Sequence, residues 1–144
     1  FIIPAGLFRQ LFLRDVFLTF LQEKGIPMTA ATSSPREHVT RALERNGLLE
    51  FLKRIDTTSE VGESKHSPLI YQKASEFLGS RPEETLVFED SLYALQTAKK
   101  AGFRAIGVYD SEGETNQAGV EETGEVYLKN LKEFMRHYKK LESE

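Results

Sequence analysis

The chain contains the stretch TLVFEDS at residues 85–91. Its first four residues are β-branched or apolar, as in a buried strand, and two adjacent carboxylates, Glu89 and Asp90, follow where that run stops. Beyond them, apolar residues recur at helical spacing as far as a glycine; they are Leu92, Leu95, Ala98 and Ala101, with Gly102 behind them. The stretch therefore predicts a strand that ends at two carboxylates and is followed by a helix.

The same order of strand and helix recurs along the chain. Further short runs typical of strands lie at residues 26–31, 54–58, 104–109 and 126–128. Helical patterns begin near Leu7, at the Ser34-Pro35 and Ser67-Pro68 pairs, where serine is the predicted N-cap, and after Asn130. Strands alternating with helices indicate βαβ units. We predict a three-layer α/β fold, a Rossmann-like parallel sheet with helices on both faces. A single domain spans 1–144, with an N-terminal helical segment at 1–24 and the core at 25–141.

Composition and charge exclude several classes of function. With 144 residues, 40% of them hydrophobic, the chain is long enough to bury a core without cross-links. It has no cysteine, which excludes disulfides, a thiolate nucleophile and a sulfur-bound metal. The net charge of -3 gives no electrostatic attraction for nucleic acid, and charged residues interrupt the apolar N-terminal stretch. We therefore expect a cytoplasmic protein without a nucleic-acid or membrane partner.

Polar and charged side chains follow the predicted strands at one edge of the sheet. The carboxyl ends of parallel strands share an edge, and ligands of open α/β sheets bind there. Thr32 and Ser33 follow one predicted strand, and Glu89 and Asp90 follow another. Lys65, on a loop that leads into a helix, can reach the same crevice. The pattern predicts that these residues form one site.

These side chains suit a phosphate site. Hydroxyl and amide donors hold phosphoryl oxygens, a lysine neutralises charge that grows during transfer, and paired carboxylates hold a divalent cation such as Mg²⁺. Each group also has a simpler interpretation. Glu89 and Asp90 could form a solvated turn that caps a helix. Thr32 and Ser33 could serve a turn alone, and Lys65 could be a solvated surface residue. The occurrence of all three groups in this order along the chain favours a phosphate site over these simpler interpretations.

Three stretches carry a resemblance to a known family. They are GIPMTAATSSP at residues 25–35, ESKHSPLIY at residues 63–71, and residues 86–103, which begin LVFEDS and end AGF. Over about residues 18–110 the chain resembles the haloacid dehalogenase-like hydrolase superfamily, and within it the group that contains β-phosphoglucomutase and phosphoglycolate phosphatase. The resemblance implies a Rossmann-like core and Mg²⁺ as the cofactor.

The resemblance also implies roles for the site residues. Thr32 would bind the transferring phosphoryl group, with the NH of Ser33 as a neighbouring donor. Lys65 would be the catalytic lysine beside that group. Glu89 and Asp90 would hold Mg²⁺, with Asp90 as the principal ligand. The Glu-Asp-Ser sequence favours the phosphatase and mutase branch over the dehalogenases.

The chain departs from the family pattern at its beginning. Family members start with a strand that ends in Asp-x-Asp-Gly-Thr/Val, whose first aspartate is the nucleophile and whose second is the general acid and base. No Asp-x-Asp occurs in this chain, so no nucleophile is assigned, and we expect the family's cap domain to be missing or reduced to residues 1–20. The first, central strand should therefore be absent. Residues 1–3, a partner chain, or residues omitted from this sequence could fill its place. Because the chain opens with Phe1 instead of methionine, we expect omission or truncation.

The sequence predicts a function for the parent protein. It would be a Mg²⁺-dependent phosphohydrolase that acts on a small phosphorylated metabolite through an aspartyl phosphate, while the present chain would show little turnover. A phosphomutase is one alternative, since it differs only in what accepts the phosphoryl group. A non-catalytic phosphate-binding or interaction module is another. An unfilled central position would also allow a homodimer formed by chain exchange.

Overall fold

The computed structural model describes residues 1–6, 14–110, 113–130 and 132–143. Within these ranges, six strands alternate with seven α-helices. The strands are β1 (Ile2–Pro4), β2 (Thr29–Thr32), β3 (Arg54–Thr57), β4 (Leu86–Glu89), β5 (Arg104–Val108) and β6 (Val126–Leu128). The helices are α1 (Arg14–Glu23), α2 (Arg36–Arg45), α3 (Thr58–Val61), α4 (Leu69–Leu78), α5 (Leu92–Lys100), α6 (Gln117–Thr123) and α7 (Lys132–Ser143).

One sheet holds all of these strands in the order β3-β2-β1-β4-β5-β6, and every neighbouring pair is parallel. The chain proceeds outward from β1 through β2 to β3, then returns to the other side of β1 and continues from β4 to β6. The carboxyl ends of the strands therefore lie along one edge, and a crevice for ligands forms where the order reverses, beside β1. The predicted α/β fold with a parallel sheet is confirmed.

The central position of the sheet is occupied by β1. Ile2 lies opposite Thr29 of β2 and Val87 of β4, and Ile3 lies opposite Ala30. Both isoleucines are buried, and they belong to the apolar layers on opposite faces of the sheet. The prediction of a missing central strand, with omitted residues in its place, is therefore wrong for this position. Residues 1–3 were the other candidate, and a short strand buried on both faces suffices because its neighbours supply the backbone hydrogen bonds.

Apolar side chains cover both faces of the sheet. On one face, α1 and α7 bring Phe17 and Phe134 against Phe88 of β4, and the three ring centroids lie 5.1 to 5.7 Å apart. On the other face, Tyr71 of α4 and Ala98 of α5 pack against β1, β2 and β4. The predicted arrangement of helices on both faces is confirmed. Residues 1–24, predicted to be helical, contribute β1 as well as α1, and residues 7–13 lie outside the described ranges.

Two helices begin one residue later than the serine–proline pairs predict. The N-cap of α2 is Pro35, which has an extended backbone (φ −58°, ψ 141°) and makes no side-chain capping hydrogen bond, so the predicted N-cap at Ser34 is wrong. The NH of Ser34 instead donates to Oγ1 of Thr32 at 2.9 Å. The N-cap of α4 is Pro68, although Oγ of Ser67 still accepts a hydrogen bond from the first helical NH at 3.2 Å.

One helix in the C-terminal third was not predicted. The Asn116 side chain caps α6 by accepting a hydrogen bond from the NH of Gly119 at 2.9 Å. Val120 is the buried residue of this helix and packs against Leu95 and Ala105. A single buried position leaves no helical period to detect. In the part of the chain that the structure describes, no helix is both long and apolar enough to cross a membrane.

Candidate phosphate and metal site

The parallel sheet brings the predicted site residues to one edge. Thr32 is the last residue of β2, and Glu89 is the last residue of β4. These strands flank β1, so the two side chains belong to strand ends on either side of the switch point. Asp90 follows Glu89 directly, in the turn before α5. The common edge is a consequence of parallel pairing, which the sequence pattern predicted.

A buried ion pair lies at the centre of this edge. Nζ of Lys65 donates to Oε1 of Glu89 at 2.6 Å, and only 7% and 2% of the two side chains are exposed. The hydroxyl of Tyr71, on α4, donates to the same oxygen at 2.6 Å. Burial, then the charge of Glu89, raises the pKa of Tyr71 far above its usual value, so this hydroxyl stays protonated and remains a donor. The solvated-lysine interpretation of Lys65 is therefore wrong.

Asp90 is held in an environment that disfavours its charge. Burial raises the pKa of its carboxyl, and the neighbouring charges of Glu89 and Asp110 raise it further, while Lys65 lowers it. Three carboxylates therefore lie close together with one ammonium group. A divalent cation in this position would relieve their repulsion, because it favours the charged form of each carboxylate.

The raised pKa of Asp90 predicts a pH-dependent effect of Asp90→Asn. An aspartate with a raised pKa binds its proton more tightly in the folded state, so it lowers stability as pH rises from its ordinary value through the raised one. In metal-free buffer, we expect the asparagine variant to be more stable than the wild type at neutral pH. The difference should vanish below about pH 4, the ordinary value for aspartate. Urea unfolding between about pH 3 and pH 8 with EDTA measures this difference.

A matched control for this measurement is Glu83→Gln, which neutralises an exposed carboxylate in the 3₁₀ turn Pro82–Glu84 that precedes β4. This turn lies at the opposite end of the same strand. We expect its stability difference from the wild type to show no comparable dependence on pH. An Asp90→Asn variant that is less stable than the wild type at every pH would contradict the electrostatic account.

The β2 end combines a turn with a hydroxyl group that can donate to an anion. Thr32 is buried, and its Oγ1 accepts the hydrogen bond from Ser34, as the turn interpretation predicted. This contact uses a lone pair and does not involve the hydroxyl proton, so the same hydroxyl can donate to a bound anion. Ser33 is exposed between these two residues. The turn and the phosphate contact are therefore compatible.

The β1 end contains no acidic side chain. The strand ends at Pro4 and is followed by Ala5 and Gly6. The resemblance implies Asp-x-Asp at the end of the central strand, yet these three residues offer neither a nucleophile nor a general acid. This strand end therefore supplies no attacking group to the hydroxyl, ammonium and carboxylate groups of the neighbouring strand ends.

Two residues of this region were not predicted from the sequence to belong to the site. Asp110 lies two residues after β5, at the same edge, and acts on the charge of Asp90. Its position after a predicted strand was the signal that could have identified it. Glu114 accepts hydrogen bonds from the NH of Leu92 at 2.6 Å and from the NH of Asn116 at 2.9 Å. It thereby caps α5 from another loop, a contact across 22 positions that no local pattern reveals.

The donor set suits Mg²⁺ better than a metal that needs a full protein cage. Among the described residues, no group of three or more His, Cys, Asp or Glu side chains could hold a metal by itself. Mg²⁺ commonly binds one or two carboxylates, keeps several waters and takes phosphate oxygens from the substrate. Asp90 and Glu89 are a donor set of this kind, so the residues present fit the ion.

Comparison with known proteins identifies the family of the chain. Residues 15–108 match the family model described as haloacid dehalogenase-like hydrolase. The chain belongs to this family. A relative from Streptomyces hygroscopicus subsp. limoneus, named validoxylamine A 7'-phosphate phosphatase, is 32% identical over 113 residues, which cover 78% of this chain and 51% of the relative. The chain thus spans about half the length of the curated relatives that it resembles.

Solved structures of this family share the fold. A haloacid dehalogenase family hydrolase from Deinococcus radiodurans, solved with bound phosphate and sodium, has a TM-score of 0.76 and 25% identity, over 88% of this chain and 58% of the other. The β-phosphoglucomutase of Clostridium difficile has a TM-score of 0.71 at 15% identity, over 90% and 55% of the two chains, which shows the fold alone. The family resemblance found in the sequence is confirmed.

Proposed function

We propose that the parent protein is a Mg²⁺-dependent phosphohydrolase that acts on a small phosphorylated metabolite through an aspartyl-phosphate intermediate. The observation that carries this proposal is the buried Lys65–Glu89 pair beside Asp90, at the sheet edge that also holds Thr32. The Streptomyces relative is named a phosphatase, and the Deinococcus structure contains phosphate. Both names support a phosphorylated substrate.

Each residue has a distinct role in this proposal. The hydroxyl of Thr32 and the NH of Ser33 donate to phosphoryl oxygens. Lys65 has three donor hydrogens, of which Glu89 takes one, so its ammonium can also face the phosphoryl group. Asp90 and Glu89 would hold Mg²⁺, and the bound ion would supply positive charge to screen an anionic nucleophile from its anionic target. The described central strand offers no nucleophile, because it ends at Pro4 and is followed by Ala5 and Gly6.

A second candidate function follows from that strand end. A chain that can hold phosphate and metal but offers no attacking carboxylate beside them is suited to binding without turnover. A phosphomutase would use the same residues and would differ only in the acceptor of the phosphoryl group. Turnover by the parent protein separates these candidates: water as the acceptor indicates a phosphohydrolase, a second hydroxyl of the substrate indicates a mutase, and no turnover indicates a binding module.

We expect the chain to bind Mn²⁺, a spectroscopic substitute for Mg²⁺, together with inorganic phosphate. Asp90→Asn should weaken Mn²⁺ binding by at least about tenfold. Loss of an outer-shell partner lowers metal affinity by about tenfold or more, and loss of the ligand itself should lower it at least as much. Electron paramagnetic resonance of free Mn²⁺ gives the dissociation constant, and phosphate is titrated by calorimetry with the metal present. Glu83→Gln should leave both affinities unchanged, since that carboxylate lies at the other end of β4.

Two results would contradict the proposal. One is Mn²⁺ binding that Asp90→Asn does not change, which would place the metal elsewhere. The other is a burst of product from a phosphate ester at one equivalent of this chain, which would require a nucleophile that residues 1–144 do not place at β1. We expect no burst.

A further inference from the structure

Two donors converge on one oxygen of Glu89. Lys65 Nζ and the Tyr71 hydroxyl both lie 2.6 Å from Oε1. Within the described part of the chain, Oε2 accepts no hydrogen bond. The carboxylate is therefore held asymmetrically, with one oxygen saturated by protein donors and the other available to a ligand.

The hydroxyl of Tyr71 is held rigidly. The residue is fully buried on α4, and its ring contacts Phe103 with a centroid distance of 6.1 Å. It belongs to the apolar layer that also contains Ile2 and Val87, the residues paired at the sheet centre. Two side-chain torsions fixed by packing place the hydroxyl at Glu89. Lys65, by contrast, reaches Glu89 through a flexible four-carbon stem.

The two donors differ in what they do to the charge of Glu89. The ammonium of Lys65 is positively charged and offsets part of the negative charge of Glu89. The Tyr71 hydroxyl is neutral, so it fixes the carboxylate and leaves its negative charge intact. Outer-shell donors of this kind orient metal-binding carboxylates.

From this geometry we infer that Tyr71 is a positioning residue, which holds Oε1 of Glu89 so that Oε2 is presented to the metal. The inference rests on the proposed metal site at Glu89 and Asp90. Tyr71 touches neither substrate nor metal in this account, and it acts only through Glu89.

The test is Mn²⁺ affinity in Tyr71→Phe, which keeps the buried ring and removes only the hydroxyl. We expect the dissociation constant to rise about tenfold, the lower end of the range for outer-shell partners. Tyr93→Phe is the matched control, because it makes the same chemical change at the start of α5, where Tyr93 is partly exposed and stacks on His66 at 4.3 Å. Its affinity should equal that of the wild type.

A double-mutant cycle separates positioning from a general effect on structure. Glu89→Gln should itself weaken Mn²⁺ binding. If Tyr71 acts through the Glu89 carboxylate, adding Tyr71→Phe to Glu89→Gln should produce little further change. An independent effect of the same size in both backgrounds would overturn the inference.

The outcomes for the wild type and the variant are distinguishable. If the wild type does not bind Mn²⁺, the proposed metal site fails and the inference fails with it. If the wild type binds and Tyr71→Phe binds equally well, only the inference fails. If Tyr71→Phe does not fold, 4-aminophenylalanine and 4-methylphenylalanine at position 71 replace it. These two side chains match in size, and only the first keeps a donor, so equal affinities would overturn the inference.

Discussion

Lys65→Met is expected to destabilise the fold by about 3–5 kcal/mol, because it leaves a buried carboxylate without its counter-ion. Only 2% of the Glu89 side chain is exposed, so water cannot replace the lost ammonium. The Tyr71 hydroxyl remains as a donor but carries no charge. Urea unfolding at pH 7, followed by circular dichroism, measures the free energy of unfolding.

Two further variants sharpen this test. The double variant Lys65→Met/Glu89→Leu should recover much of the loss, since an apolar pair can replace a buried ion pair. Recovery should be incomplete by about 1–3 kcal/mol, because the Tyr71 hydroxyl then lacks its acceptor. Arg81→Met removes the exposed pair with Glu84 and should produce no measurable change in stability. An equally small effect of Lys65→Met would contradict this prediction, because water would then have to solvate the Glu89 carboxylate.

Phe88→Ala is expected to cost about 3–5 kcal/mol, since it opens a cavity in the aromatic cluster of the core. Phe88 is fully buried, and its ring lies 5.5 Å from Phe1, 5.7 Å from Phe17 and 5.5 Å from Phe134, measured between centroids. Truncation removes all three ring contacts together. The midpoint of urea unfolding measures the loss.

A domain of this size has a total stability of only about 5–15 kcal/mol, so Phe88→Ala could leave little folded protein. Phe88→Leu covers that case, with an expected loss of about 1–3 kcal/mol. The control is Phe77→Ala, which removes a half-exposed ring that faces Arg54 at 5.0 Å and should cost less than about 1 kcal/mol. A larger loss at Phe77 than at Phe88 would contradict the assignment of the core.

Local sequence patterns predict the fold class and the polar groups that end strands at one edge of the sheet. Alternating strand and helix patterns are local, because side-chain period depends only on residues a few positions apart. Parallel pairing then puts every strand end on one edge, so the pattern alone assigns Thr32 and Glu89 to that edge. The helix α6 cannot be detected in this way, because a single buried residue, Val120, carries no period.

The contacts between these groups depend on the tertiary structure. Three residues of β1 are too few for a pattern, and their place at the sheet centre depends on pairing with Thr29 and Val87, far along the chain. The contact of Lys65 with Glu89 spans 24 positions. It shows that Lys65, whose role the sequence left open, belongs to a buried ion pair. Tyr71 reaches the same oxygen only because α4 packs across β1 and β4. The physical reason is that hydrogen bonds and burial depend on distances in space, whereas a sequence pattern records only distances along the chain.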